Sequence, residues 1–135
     1  MDKELEFYTA DLVRDSQNFD FIEVDILTNL WGFSPPKDYL DFMSEIADAE
    51  GPIGENSWLT LWKMSDLVVI NAKTYIMRQI PDHFIFGKDV ADTGYAFNKK
   101  NACIYDFGLM SNFKTDPIKY RGGTFLEFIR YLYNK

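Results

Sequence analysis

Thr93-Gly94-Tyr95-Ala96-Phe97, then Asn98-Lys99-Lys100-Asn101, then Ala102-Cys103-Ile104-Tyr105-Asp106-Phe107, is the stretch that decides the fold. Two segments rich in β-branched and aromatic residues flank four polar ones, and a connection that short joins neighbouring antiparallel strands. Upstream, His83 to Phe86 reads as another strand ending at Gly87. Downstream, Thr124 and Glu127 form a Ser/Thr-x-x-Glu capping box, and Phe125, Phe128, Ile129 and Leu132 make the buried stripe of a closing helix.

Further upstream, Ser57 to Lys63 reads as a strand covered on both faces, with Leu59 and Leu61 on one side and Trp58 and Trp62 on the other. Ser65-Asp66 opens a helix that Leu67, Ile70 and Tyr75 line with apolar surface, and Ile80-Pro81 breaks it. From Phe19 to Trp31 the residues Ile22, Ile26 and Leu30 recur every fourth position, with Leu27 and Trp31 beside them, and Gly32 ends that helix. Ser34-Pro35-Pro36 suits the start of the next, because proline lacks an amide hydrogen that a first turn leaves unpaired anyway. Tyr39, Phe42, Met43 and Ile46 are its core stripe, and Gly51-Pro52 its expected stop. Residues 1–18, with Leu5, Phe7, Tyr8, Leu12 and Val13, are only loosely helical in spacing, and whether they pack on the core or form a strand stays open. The order of elements predicts an α+β fold, with helices packed on one mostly antiparallel sheet. At 135 residues, with no internal repeat or linker, the chain reads as a single domain, 1–135.

Composition excludes several classes of function. Net charge is −7, which opposes direct binding to nucleic acid or to an anionic membrane surface. Residues 1–57 carry 14 acids against 3 bases, and residues 58–135 carry 7 against 11, so the acidity belongs to the first half. No run approaches the roughly 20 apolar residues of a membrane-spanning helix, and the acidic start is unlike a signal peptide, so the cytoplasm is the expected location. Cys103, the lone cysteine, can form no internal disulfide and is too little for a structural zinc site.

Reaction machinery is missing from the sequence. There is no phosphate loop, nucleophile elbow, H-E-x-x-H motif or dinucleotide fingerprint. His83 follows Asp82, but adjacent residues of a strand face opposite ways, so the two do not form a base and its orienter. Cys103 reads as an inert buried thiol, and Asp89 and Asp92 as turn residues rather than metal ligands. No catalytic residue, metal or cofactor is expected.

The second helix carries the partner signal. At roughly 100° per residue, Asp38, Asp41, Glu45 and Asp48 gather within about 80° opposite the core stripe. Glu50 and Glu55 follow in the adjoining loop, giving six acids with Lys37 to offset them. Such a ridge reads either as a solvated helix face or as a docking surface for a basic protein. Trp31, Trp58 and Trp62 are candidate aromatic anchors for such an interface, with core packing the alternative for each.

Pro36-Lys37-Asp38-Tyr39-Leu40-Asp41-Phe42 is similar to the leucine-proline-x-x-tyrosine-x-x-phenylalanine signature of the SUKH superfamily, with Pro35 in place of the leucine. Phe86-Gly87, Asp92 to Phe97, Ile104-Tyr105 and Thr124-Phe125-Leu126-Glu127-Phe128 resemble its later elements in order and spacing, over residues 20–133. One departure is Ala49-Glu50-Gly51-Pro52-Ile53-Gly54, where the family usually has an asparagine-glycine-glycine turn. The resemblance implies a single α+β domain and, for bacterial members, an immunity protein that neutralises a cognate toxin, often a nuclease. Other members regulate cell-wall synthesis or belong to viral proteins, so a general cytosolic interaction or regulatory module is the alternative. A small hydrolase built from scattered acids is the third class. Oligomeric state is not legible.

Overall fold

The computed structural model describes residues 2–16, 21–113 and 115–135. Seven strands form one sheet in chain order, each antiparallel to the next: β1 (Val13–Ser16), β2 (Ile46–Ile53), β3 (Ser57–Leu61), β4 (His83–Lys88), β5 (Thr93–Asn98), β6 (Ile104–Gly108) and β7 (Lys119–Gly122). The helices are α1 (Lys3–Tyr8), α2 (Phe21–Trp31), α3 (Lys37–Glu45), α4 (Leu67–Lys73) and α5 (Phe125–Asn134). The fold is therefore α+β, with helices packed on one antiparallel sheet.

Alternation along the strands sends one set of side chains to each face. The inner face carries Leu59, Leu61, Phe86, Tyr95, Phe97 and Ile104, which pack against Tyr39, Phe42 and Met43 of α3 and Phe125, Phe128, Ile129 and Leu132 of α5. Phe86 stacks on Phe97 at 4.2 Å, and the Tyr39 ring meets Phe97 edge-on at 4.9 Å. The outer face holds a smaller core in which Ile85, Ala96 and Phe107 meet Ile76, Met77 and Ile80, with Ile70 and Trp62 packed beside them.

The open N-terminal segment resolves into α1 followed by the edge strand β1. The Asp2 carboxylate accepts from the Glu4 and Leu5 amides and caps α1, and a Glu4–Arg130 ion pair at 2.7 Å ties α1 to α5. At α5 the expected box forms: Glu127 N–H donates to Thr124 Oγ1, and Gly123 N–H donates to Glu127 Oε2.

Several expectations are corrected. The second helix does not run to Gly51: it ends at Glu45, and Ile46 is already extended (φ −137°, ψ 148°). Ala49, Gly51 and Ile53 are buried while Glu50 and Pro52 are exposed, the two-residue alternation of a strand, and pairing with both neighbours holds it. Ser34 does not cap α3, which begins after Pro36 without a side-chain cap. In α2, Leu27 and Trp31 face the core whereas Ile26 and Leu30 stand 55% and 68% exposed. Phe19 lies outside the described residues. Tyr75, expected to line its helix, is exposed on a separate 3₁₀ turn.

β3 and β4 pair only at Thr60↔Lys88 and Leu61↔Gly87. There the chains run so close that a Cβ on Gly87 would lie 2.5 Å from the Thr60 carbonyl oxygen, which requires glycine. Beyond this junction Ile85 has no strand partner on its β3 side, and the Asn71 amide takes that place. Asn71 Oδ1 accepts from Ile85 N–H at 2.8 Å, and its Nδ2 donates to the Ile85 carbonyl at 2.9 Å. α4 is thereby fixed over β4 on the outer face.

Candidate functional site

This one-sided covering shapes the surface. α1, α3 and α5 occupy the inner face, and α4 with its flanking turns covers the outer face over β4 to β6. The described residues leave the outer face of β1 to β3 uncovered, and a groove of about 780 Å³ lies across it. Val13 of β1, Asp48 and Glu50 of β2, Trp58 and Thr60 of β3, and Trp62 just beyond line it.

Register brings these groups together. Glu50 stands opposite Thr60 on one side and Val13 on the other, and Pro52 stands opposite Trp58. Asp48 and Glu50 are two residues apart on one strand, so both point to this face, their Cα atoms roughly 7 Å apart. Neither has a hydrogen-bond or ion-pair partner among the described residues. Trp58 Nε1 donates to Thr60 Oγ1 at 3.3 Å, which orients the indole, and Trp62 is wedged between the two cores. Arg14 also borders the groove, but its guanidinium donates to the Thr9 carbonyl at 2.8 Å. Lys88, opposite Thr60 on β4, places a cation on the far side of β3.

The six acids of the expected ridge separate into three places. Asp41 and Glu45 remain on α3 and, with Asp2 and Asp38, border a small hollow of about 280 Å³. Asp41 pairs with Lys37 at 3.4 Å in full solvent. Asp38 is turned to a structural task, because its carboxylate accepts from the Phe125 and Leu126 amides at 2.9 and 2.8 Å and so closes the first turn of α5. Asp48 and Glu50 stand in the groove. Glu55, on the β2–β3 turn, borders a third hollow with Asp89 and Lys135.

The other singled-out residues fall as follows. Trp31 is buried against Phe33 and Phe84, its indole N–H without an acceptor. Cys103 is half-buried just before β6 rather than within a strand, its Sγ 3.6 Å from the Asn101 carbonyl. Asp89 Oδ1 accepts from the Ala91 and Thr93 amides, the geometry of an Asx turn. His83 packs edge-on against Tyr105 at 5.5 Å, and burial lowers its pKa against the upward pull of Asp82, with Lys99 adding to the lowering. Among the described residues no group of three or more His, Cys, Asp or Glu is placed to hold a metal ion, and no helix is long and apolar enough to cross a membrane.

The sequence pattern puts Asp48 and Glu50 in one acidic ridge and offers Trp58 and Trp62 as anchors for it, but places the acids on a helix and its loop rather than on the strand beside the tryptophans, and it gives Val13 and Asp2 no site role. The alternation from Ala49 to Ile53 is the signal for a strand there, and the register of β2 with β3 is what brings Asp48 and Glu50 beside Trp58 and Trp62. A scan against protein-family models finds no match for this chain, and a search of curated proteins finds none either.

Proposed function

We propose that this protein is a non-enzymatic immunity protein of SUKH type, which binds a cognate bacterial toxin domain with a basic surface and neutralises it in the cytoplasm. The observation that carries this reading is the outer face of β1 to β3, uncovered by the described residues, where two carboxylates with no partner among those residues stand beside two half-buried tryptophans in a concave site. Charged residues at such a rim steer and select an oppositely charged partner, while aromatic side chains supply most of the contact energy. A surface of that character suits a protein that occupies a groove built for phosphate. The resemblance of Pro36 to Phe42 and of the later strands to the SUKH pattern supports the same role.

Co-expression tests it. The chain is produced together with the toxic domain of a large secreted protein encoded beside it, and growth is scored with wild type and with Asp48→Asn/Glu50→Gln. The reading expects the wild type to restore growth and the double variant, at equal level, to restore it poorly. If the wild type neither restores growth nor copurifies with the domain, the immunity role is wrong and a general interaction module of the same fold takes its place.

A further inference from the structure

We propose that the groove on the outer face of β1 to β3 is an arginine-selective docking site, receiving an arginine-bearing segment of the protein partner at its β2 end. This rests on the protein-binding reading above and names the chemistry of the occupant. The two carboxylates of Asp48 and Glu50 project from one strand face with no partner among the described residues, and the rings of Trp58 and Trp62 line the same groove. Tryptophan is the strongest aromatic partner for a cation. A guanidinium fits this combination better than an ammonium, because it is planar, weakly hydrated and able to stack on an indole while giving paired N–H donors to carboxylates.

Other occupants are disfavoured by the same groups. An acidic segment is repelled by Asp48 and Glu50, and a wholly apolar one would bury both carboxylates without partners, which is strongly unfavourable. Arg14 cannot fill the site from within, since its guanidinium is held by the Thr9 carbonyl. Lys88, across β3 from the acids, opposes a second cation there and so confines the arginine to the β2 side. The Trp58 N–H is already spent on Thr60, so the indole offers its ring rather than a donor.

The test is a titration of the full chain with synthetic hexapeptides of arginine, lysine and glutamate, read by tryptophan fluorescence and by calorimetry. The arginine peptide is expected to bind about tenfold tighter than the lysine peptide, and the glutamate peptide not at all. Asp48→Asn/Glu50→Gln should weaken arginine-peptide binding by about tenfold or more, while Asp41→Asn leaves it within about twofold. Trp58→Leu should remove most of the preference for arginine over lysine, and urea midpoints establish that each variant is folded. Equal affinity for arginine and lysine, an effect of Asp41→Asn as large as that of the groove double variant, or no binding would overturn the proposal. The outcome separates from the immunity role: full toxin neutralisation by Asp48→Asn/Glu50→Gln sinks the arginine site and leaves that role standing. Groove-dependent arginine binding without neutralisation does the reverse.

Discussion

Removing the Asp38 carboxylate tests whether this residue belongs to the scaffold or to the acidic surface. α5 begins at Phe125, and the amides of its first turn are all accounted for: Phe125 and Leu126 donate to Asp38, Glu127 to the Thr124 hydroxyl and Phe128 to the Thr124 carbonyl. Asp38→Ala leaves two of those four without a partner at a half-buried site, and it also removes a negative charge from the positive end of the helix. Hydrogen bonds to a charged group contribute about 1.5–3 kcal/mol each when buried, and a charge at a helix terminus about 0.3–1 kcal/mol. Water reaches part of this site, so the sum should fall to about 2–3 kcal/mol. For a domain of this size that lowers Tm by roughly 6–12 °C. Asp38→Asn keeps one acceptor oxygen and should lose about half as much. Asp41→Ala, which removes only the exposed pair with Lys37, should cost under about 0.5 kcal/mol. Urea unfolding followed by tryptophan fluorescence, with an unchanged m-value, gives the three numbers. A loss at Asp38→Ala no larger than at Asp41→Ala would refute the capping argument.

Three further outcomes follow from the packing. Asn71→Leu strands the N–H and C=O of Ile85 at the point where β3 leaves β4, and should cost about 2–3 kcal/mol by urea midpoint, with faster hydrogen exchange of the Ile85 amide. Tyr39→Phe should be neutral or stabilise by up to about 1 kcal/mol, because the hydroxyl is fully buried without a hydrogen-bond partner, and burial also raises its pKa far above the ordinary range. A loss of more than about 1 kcal/mol would mean that the hydroxyl is satisfied. Burial holds the His83 pKa below the usual value of about 6.5, so as pH falls the unfolded chain takes up the proton first. The stability tied to this neutral ring is therefore complete above about pH 7 and declines as the pH drops through 6.5 toward the folded-state pKa. His83→Gln should flatten the change in urea midpoint between about pH 7.5 and about pH 5.5, and an undiminished slope would rule this residue out as its source.

What the sequence discloses is what local patterns encode. The hairpin from Thr93 to Phe107 is marked by its four-residue polar connection, and the capping box at Thr124 and Glu127 lies within one turn, so both are readable and both form. Ile46 is the point of ambiguity, since it continues the helical stripe of Tyr39, Phe42 and Met43 and is out of phase with the alternation Ala49, Gly51, Ile53, the β1–β2 register shifting beside it. Pairing of β2 with β1 and β3 settles it for the strand, and no local rule contains that information. β7 escapes notice because Lys-Tyr-Arg-Gly is too short and polar to alternate visibly. Its Arg121 is held instead by Asp106 at 2.6 Å and by the Tyr131 ring. Asp38 looked like one more surface acid, and its cap lies 87 residues away along the chain. For the site, each of Asp48, Glu50, Trp58 and Trp62 is visible in the sequence; their convergence is a matter of register between β2 and β3.

A basic protein partner is proposed to dock on the acid and tryptophan groove of the open sheet face. Calorimetric titration of the neighbouring toxin domain into wild type and into Asp48→Asn/Glu50→Gln tests it most directly. A one-to-one complex is expected, its affinity falling by about tenfold or more in the double variant while Asp41→Asn binds like wild type. A complex of undiminished affinity in the double variant would place the interface elsewhere and contradict it.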